Sequence, residues 1–189
     1  MISLKNRACA VLCTVAFCCM FLLQAEAMGR KEMETRVSEL KNAYSLQSHQ
    51  EGGWFAEIYT APFQRNDRPT AGCIYFLLDG QNVSHFHQID CDEMWLYHEG
   101  CGLKITSLEE GTVKEYLLGT DIKKKEQPMV VLPAGAIFAA ENKDKSAYTL
   151  VSCVTTPRFH YEGFRLVPRQ EVQNLYPKLP ETVLQLAFN

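Results

Sequence analysis

The fold is decided by Gly80-Gln-Asn-Val-Ser-His85-Phe-His87-Gln-Ile-Asp-Cys-Asp-Glu93-Met-Trp-Leu-Tyr-His-Glu-Gly100, which places three possible metal ligands between two turn glycines. Side chains of an extended strand alternate between two faces, so His85 and His87 are predicted to share one face. A short polar loop then returns the chain, and Glu93 leads a second strand. Two histidines and one carboxylate suit a divalent first-row metal and leave coordination positions open. The alternative is a chance pair of histidines on an exposed strand.

Short apolar segments recur along the rest of the chain, with turn residues between them. The predicted strands are Trp54–Thr60, Ala71–Leu78, Glu93–His98, Leu103–Leu108, Val113–Leu118, Met129–Leu132, Ala136–Ala140 and Ala147–Thr155. Closely spaced strands without helical patterns between them predict an antiparallel sandwich or barrel. Helical spacing is found only near the two ends, over residues 29–44 and in the tail from Pro168, where a second short helix is predicted at residues 181–189.

The central stretch resembles the first cupin motif, with His85, His87, Glu93 and Gly100 at the matching positions. The second cupin motif has the form Pro-x-Gly-x-x-His-x-x-x-Asn. This chain has Pro133-Ala-Gly135-Ala-Ile-Phe138-Ala-Ala-Glu-Asn142, so Phe138 stands where the motif has its histidine ligand.

Other segments resemble one branch of that superfamily, the cupin-5 family of largely uncharacterised proteins. They are His49-Gln-Glu51-Gly-Gly-Trp54-Phe-Ala-Glu57, Ile74-Tyr-Phe-Leu-Leu78, Ser84-His-Phe-His87, Asp92-Glu-Met-Trp95, Val131-Leu-Pro-Ala-Gly135 and Leu150-Val-Ser-Cys153, with Phe159 and Phe164 beyond them. This family often carries an aromatic residue at the second-motif histidine position, as Phe138 does here. The resemblance covers residues 46–176 and implies an all-β double-stranded β-helix, the cupin jelly roll, with short flanking helices.

The resemblance also implies ligands and partners. A small molecule is expected inside the barrel, and His85, His87 and Glu93 are the candidate ligands of a divalent iron, manganese, nickel or zinc ion. Cupins commonly form homodimers by strand exchange at sheet edges, and the apolar run Ala71–Leu78 would suit such a contact.

The N-terminus has the pattern of an export signal. Lys5 and Arg7 precede an apolar run at residues 8–23, and Ala25-Glu-Ala27 is a small-x-small cleavage pattern. The mature chain is predicted to begin at Met28 and to be secreted or lumenal, with no membrane contact after cleavage. An uncleaved membrane anchor is the alternative.

Residues 28–189 are predicted to form a single domain, because 162 residues can bury a proper core and no linker or repeat divides them. Loss of the signal would change the formal net charge from −3 to −4, which does not suggest nucleic-acid binding. Four cysteines lie outside the signal. Cys91 and Cys101 flank one strand and are too far apart to pair, whereas a bridge to Cys73 or Cys153 and four free thiols are both left open.

Strand parity separates the remaining site candidates. If Glu93 points into the barrel, Trp95 and Tyr97 do so too, whereas His98 faces away. Tyr97 is then a candidate pocket phenol, or an ordinary core aromatic. Glu51, beside two glycines, is predicted either at the pocket mouth or as a turn residue. The large apolar residues Trp54, Trp95 and Phe138 are expected in the core or the pocket wall.

Asn82-Val-Ser84 is an N-glycosylation sequon, so Asn82 is a candidate glycan site near the predicted approach to the pocket.

Three functions are consistent with these residues. The first is a metal-dependent enzyme using His85, His87 and Glu93. The second is a metal-free isomerase or epimerase with His87 as base and with Tyr97, or another pocket group such as Glu51, completing the site. The third is a non-catalytic protein that binds a sugar or another small ligand.

Overall fold

The computed structural model of the chain describes residues 28–80, 82–109 and 111–188. The predicted export signal, residues 1–27, lies outside these ranges. Leu40–Asn189 forms one compact unit, and the helical residues before Leu40 belong to a separate one. Within the described ranges, no helix has the length and apolar character needed to cross a bilayer.

Strands dominate the described part of the chain. They are β1 (Gln47–Ser48), β2 (Trp54–Thr60), β3 (Gln64–Arg65), β4 (Arg68–Pro69), β5 (Gly72–Asp79), β6 (Val83–Ile89), β7 (Asp92–Gly100), β8 (Leu103–Glu109), β9 (Thr112–Leu118), β10 (Met129–Leu132), β11 (Ile137–Asn142), β12 (Tyr148–Thr156) and β13 (Phe164–Leu166). The helices are α1 (28–43), α2 (Arg169–Leu175) and α3 (Glu181–Leu184). Two 3₁₀ turns, Ile122–Lys124 and Tyr161–Gly163, complete the elements.

Two antiparallel sheets form the body of the fold. One has the order β1-β2-β5-β12-β7-β10 and the other the order β13-β6-β11-β8-β9, and a small hairpin joins β3 to β4. The prediction of an all-β double-stranded β-helix with helices near both ends is confirmed. The sequence missed the very short strands β1, β3, β4 and β13, because two or three residues cannot show a clear alternation.

Two hydrophobic clusters lie on the two faces of the five-stranded sheet. Between the two sheets, Phe76, Trp95 and Phe138 are fully buried in the inner core. On the outer face of the five-stranded sheet, Phe86 packs with apolar residues of the C-terminal segment, among them Val172. The five-stranded sheet is therefore apolar on both faces.

A β-bulge in β6 determines which motif residues enter the barrel. Where β6 pairs with β11, the two residues between Ser84 and His87 oppose the single residue Ala139. Such an insertion interrupts the alternation of side chains. Ser84 and His87 therefore both point inward, whereas His85 and Phe86 point outward. The prediction that His85 and His87 share a face is wrong for this reason.

The apolar run predicted at Ala71–Leu78 forms β5, which lies inside a sheet. It is hydrogen-bonded to β2 on one side and to β12 on the other. Its backbone groups are already paired, so β5 cannot supply the sheet-edge contact expected of this run.

The four cysteines of the described chain are free thiols. Cys91 and Cys153 are buried, whereas Cys73 and Cys101 are partly exposed. The fold is thus held together without a disulfide within the described residues.

Candidate functional site

A cavity of about 500 Å³ lies between the sheets, with walls from β2, β5, β6, β7 and β12 and from the 3₁₀ turn Tyr161–Gly163. Carboxyl groups and imidazoles share these walls with aromatic rings. The side chains that matter most below are Glu51, His87, Glu93, His49, Phe55 and Tyr161. Enclosed space with an apolar wall and a few convergent polar groups is typical of a small-molecule site.

Glu51 reaches the cavity because of a tight turn between β1 and β2. His49 N donates to Gly53 O and Gly52 N donates to His49 O, both at 3.1 Å, and His85 N donates to Glu51 O at 2.8 Å. Gly52 has a φ of +106°, and a Cβ at this position would overlap the carbonyl oxygen of Val83. Only glycine fits such a turn, so the sequence Glu-Gly-Gly fixes the position of the carboxylate.

The Glu51 carboxylate is buried among three polar side chains. Ser84 Oγ donates to Glu51 Oε1 at 2.8 Å. Glu51 Oε2 lies 3.4 Å from His49 Nδ1 and 3.5 Å from His87 Nε2. Burial alone would raise the pKa of Glu51, but the charge of His87, the hydrogen bond and charge of His49 and the hydrogen bond from Ser84 outweigh it and lower the pKa. Glu51 is therefore ionised at neutral pH.

His87 is held in one orientation by the backbone. Its Nδ1 lies 2.8 Å from the carbonyl oxygen of His85, and a carbonyl can only accept, so Nδ1 carries the proton. Nε2 is then the ring nitrogen that faces Glu51 and the cavity. The ring is 2 % exposed and packs on Phe138, with 4.2 Å between ring centroids. His87 is thus a buried imidazole of fixed orientation.

Glu93 is the second buried carboxyl group of the cavity. Burial raises its pKa to about 8, the negative charge of Glu51 adds to this rise, and hydrogen bonding with Trp95 and Cys153 opposes it. Glu93 Oε2 and Trp95 Nε1 lack a well-formed hydrogen bond to any described residue, so the pull of Trp95 on this pKa is weak. Glu93 therefore carries a proton at neutral pH, unlike Glu51.

Two residues predicted for the site, His85 and Tyr97, lie outside this cavity. His85 lies on the outer surface because of the bulge, and its Nδ1 contacts the carbonyl oxygen of Leu186 at 3.0 Å. Tyr97 shares a face with Glu93 but lies four residues along β7, about 13 Å away. Its hydroxyl donates to the carbonyl oxygen of Gly100 at 2.7 Å.

Trp54 was predicted in the core or pocket wall and is in neither. Because β2 alternates, Phe55 lines the cavity and Trp54 faces the other side. Its Nε1 donates to Asp79 Oδ1 at 3.1 Å, and Lys41 Nζ lies 3.6 Å from its ring centroid.

Three other predicted residues lie near their expected places, whereas Asn82 lies away from the cavity. Trp95 and Phe138 are fully buried in the core behind the cavity. His98 faces away from the barrel, and its Nε2 contacts Ser152 Oγ at 2.6 Å. Asn82 is exposed on an outer groove that it shares with His85, so a glycan there would not flank the cavity.

Two residues of the site were not predicted. His49 touches Glu51, and Tyr161 stacks on His49 with a hydroxyl 3.5 Å from its Nε2. His49 precedes the Glu-Gly-Gly turn. Turn residues have no regular side-chain periodicity, so the sequence could not predict that the His49 ring faces the cavity. Tyr161 comes from a 3₁₀ turn more than 100 residues away, and the aromatic run around it was the one available signal.

The double antiparallel sheet around a small enclosed cavity defines the chain as a cupin. A family model described as Cupin superfamily (DUF985) matches residues 38–167, and the chain belongs to this family. The predicted membership of the cupin-5 branch is confirmed.

Similar proteins are found in distant organisms. The uncharacterized protein YML079W of Saccharomyces cerevisiae is 27% identical over 177 residues, covering 83% of this chain and 87% of the yeast protein. The structure of protein SO0799 from Shewanella oneidensis is 31% identical with a TM-score of 0.75, covering 79% and 96% of the two chains. A hypothetical protein from Leishmania major is 25% identical with a TM-score of 0.74, covering 80% and 98%.

Cupins can hold metal ions, but the residues present here do not fit one. Of the three predicted ligands, His85 points out of the barrel, and Phe138 occupies the second-motif ligand position and packs on His87. Among the described residues, no group of three or more histidine, cysteine, aspartate and glutamate side chains is arranged to hold a metal. The donor set predicted from the first motif is therefore broken by the bulge.

Proposed function

We propose that this cupin binds a small molecule in the barrel cavity and catalyses proton transfer on it without a metal. The observation that carries the proposal is the pair of buried carboxyl groups in one cavity, Glu51 ionised between two imidazoles and Glu93 protonated. Two titratable groups with pKa values shifted in opposite directions are the usual arrangement for acid–base catalysis.

His87 is the base of the proposed reaction. Its Nε2 takes a proton from a carbon of the ligand, and Glu51, 3.5 Å away, stabilises the imidazolium that forms. The electron pair of the broken C–H bond passes to an adjacent carbonyl group. Glu93 gives its proton to the carbonyl oxygen, so charge does not accumulate on the ligand.

Return of a proton to carbon completes the cycle. When protonated His87 returns the proton to the neighbouring carbon, that carbon's former carbonyl oxygen keeps the proton from Glu93, the neighbouring hydroxyl group gives its proton to Glu93, and the product is an isomer of the substrate. This reaction class needs no oxidant and no cofactor, and the Glu93 proton is restored as the carbonyl re-forms. Tyr97 has no part in it, because its hydroxyl is bonded at the far end of β7.

Hydrogen exchange at carbon tests the proposal directly. The chain is incubated in D₂O with a panel of aldoses, ketoses and 2-oxo acids, and deuterium uptake is read by mass spectrometry. We expect uptake that survives chelator treatment and falls at least about 100-fold in His87→Gln.

His85→Gln is the matched control, because it changes a histidine two residues away that faces the outer surface. It should leave the uptake rate within about twofold, and circular dichroism verifies that both variants fold. Uptake that is unchanged in His87→Gln, or that is lost with chelator and restored by a divalent ion, contradicts the proposal. Saturable binding without uptake would leave a binding protein.

We further propose that the chain is exported, on the support of the basic start, the apolar run and the Ala25-Glu-Ala27 pattern. Expression in a eukaryotic secretory host should release a protein whose N-terminal residue, read by mass spectrometry, is Met28. A chain that stays in the cells with its N-terminus intact would refute export.

A further inference from the structure

The polar side of the cavity has hydrogen-bonding capacity that the described protein does not fill. Glu93 is 8 % exposed, and its Oε2 has no hydrogen-bond partner among the described residues. Among the same residues, Glu51 Oε2 contacts two imidazoles at 3.4 and 3.5 Å, which are longer than the usual 2.9 Å. Buried polar groups are normally satisfied, so a bound ligand is expected to complete both.

The chemistry of these two groups restricts what can bind. The Glu51 carboxylate only accepts hydrogen bonds, whereas a protonated Glu93 donates one. A hydroxyl group can donate to Glu51 and accept from Glu93. A carboxylate or phosphate can only accept and would be repelled by Glu51, and an ammonium group can only donate.

Apart from the histidines, the cavity offers little positive charge to an anionic ligand. Arg158 is the one arginine or lysine among the residues that line the described cavity. Its guanidinium already holds the Glu57 carboxylate with two hydrogen bonds of 2.9 and 2.8 Å. An anion would have to displace this pair, which disfavours phosphorylated and carboxylated ligands.

Aromatic rings form another part of the cavity wall, next to the polar groups. The His49 ring lies 4.8 Å from Phe55 and 6.2 Å from Tyr161 between centroids, and Phe159 lies 5.1 Å from Tyr161. Such rings pack against apolar C–H faces. A ligand with hydroxyl groups on one edge and a C–H face on another would match both parts of the wall.

We infer that the cavity selects an uncharged sugar, bound through hydroxyl groups by Glu51 and Glu93 and through its C–H face by the aromatic wall. This inference rests on the proposed function and names the substrate class for it, since the open-chain form of a sugar has a C–H bond beside a carbonyl. It also excludes uronates, aldonates and sugar phosphates as good ligands.

Isothermal titration calorimetry of the chain tests whether the cavity selects uncharged sugars over charged ones. The neutral probes are glucose, galactose, mannose, fructose, fucose and rhamnose, and the charged counterparts are glucuronate and galacturonate. We expect at least one neutral sugar to bind with a Kd below about 10 mM and its charged counterpart to bind at least about tenfold more weakly.

Two variants test whether the Glu51 carboxylate is the group that makes the chain prefer a neutral sugar over its uronate. In Glu51→Gln the preference over the uronate should fall below about threefold, because the repelling charge is gone. Glu162→Gln makes the same chemical change on an 86 % exposed side chain at the cavity mouth and should keep the preference. If Glu51→Gln does not fold, the wild-type comparison of sugar with uronate still decides.

The outcomes separate this inference from the proposed catalysis. A uronate that binds as tightly as its neutral sugar overturns the inference, as does the failure of every neutral sugar to bind at about 100 mM. Selective sugar binding without deuterium uptake keeps the inference and removes the catalysis. Deuterium uptake into 2-oxo acids alone would keep the proposed catalysis and remove the inference that the ligand is an uncharged sugar.

Discussion

Two glutamates in one cavity carry different charges because their surroundings differ. Glu51 has Ser84 and two imidazoles beside it, which stabilise its negative charge. Glu93 faces an apolar core and the charge of Glu51, so its proton is retained. At the scale of single residues, the proposed division of labour between base and acid follows from these neighbours.

Glu93 should make the fold less stable as pH rises. The folded chain keeps this proton up to about pH 8, whereas an ordinary glutamate loses it near pH 4.5. In this window the folded state binds more protons, so the contribution of Glu93 to the free energy of unfolding falls with pH. We expect Glu93→Gln to be more stable than the wild type at pH 9, by on the order of 3–5 kcal/mol.

Urea unfolding at pH 5 and pH 9 measures this difference. At pH 5 the two chains should agree within about 1 kcal/mol, because both then have an uncharged side chain at this position. A difference between wild type and variant that does not change with pH would show that Glu93 is not protonated in the folded chain.

Strand parity put Glu93 on one face with Trp95 and Tyr97 but could not assign the charge of Glu93. Parity depends only on the residue's own strand. The pKa of Glu93 depends on Glu51, which is 42 positions earlier and arrives through a glycine turn. Charges set by distant neighbours were beyond what spacing could predict.

At the scale of elements, the bulge in β6 explains why the predicted orientation of His85 was wrong. The eight predicted strands lie within one or two residues of the observed ones, because their apolar patterns are long enough to read. The bulge has no such pattern. It appears only in the pairing of β6 with β11, which the sequence does not contain.

The turn before β2 should tolerate no side chain at Gly52. Gly52→Ala combines a positive φ with an overlap between Cβ and the Val83 carbonyl oxygen, so the turn that places Glu51 must distort. We expect a loss of at least about 2 kcal/mol in the free energy of unfolding, measured in urea.

Gly111→Ala is the matched control for that change. Gly111 also has a positive φ, of +80°, but a Cβ there would meet no atom within 4 Å. It should cost only the backbone strain, about 1 kcal/mol. Equal losses of unfolding free energy in the two variants would show that the overlap at Gly52 does not destabilise the fold.

At the scale of the whole molecule, the homodimer remains a prediction, and the structure changes where its contact is expected. Strand β10 is an edge strand and pairs only with β7 among the strands of the sheets. Met129 and Val131 on its outer face are 47 and 49 % exposed, beside the partly buried Met94 and Leu96. We propose that a second copy covers this apolar edge.

Light scattering after size exclusion measures the assembly. The wild type should have twice the mass of one chain, and Val131→Lys should shift it toward the monomer without loss of secondary structure. Val113→Lys changes an equally exposed valine on β9, the edge of the other sheet, and should leave the dimer intact. A monomeric wild type would rule out the dimer.

The burial of Ser84 limits when Asn82 can be glycosylated during folding. Its hydroxyl is fully buried and bonded to Glu51, yet the same hydroxyl belongs to the sequon that begins at the exposed Asn82. A glycan can be attached to Asn82 only while Ser84 is still accessible, before β6 joins its sheet. During export, folding and glycosylation would therefore compete for one hydroxyl group, and a slower-folding chain would be the more heavily glycosylated one.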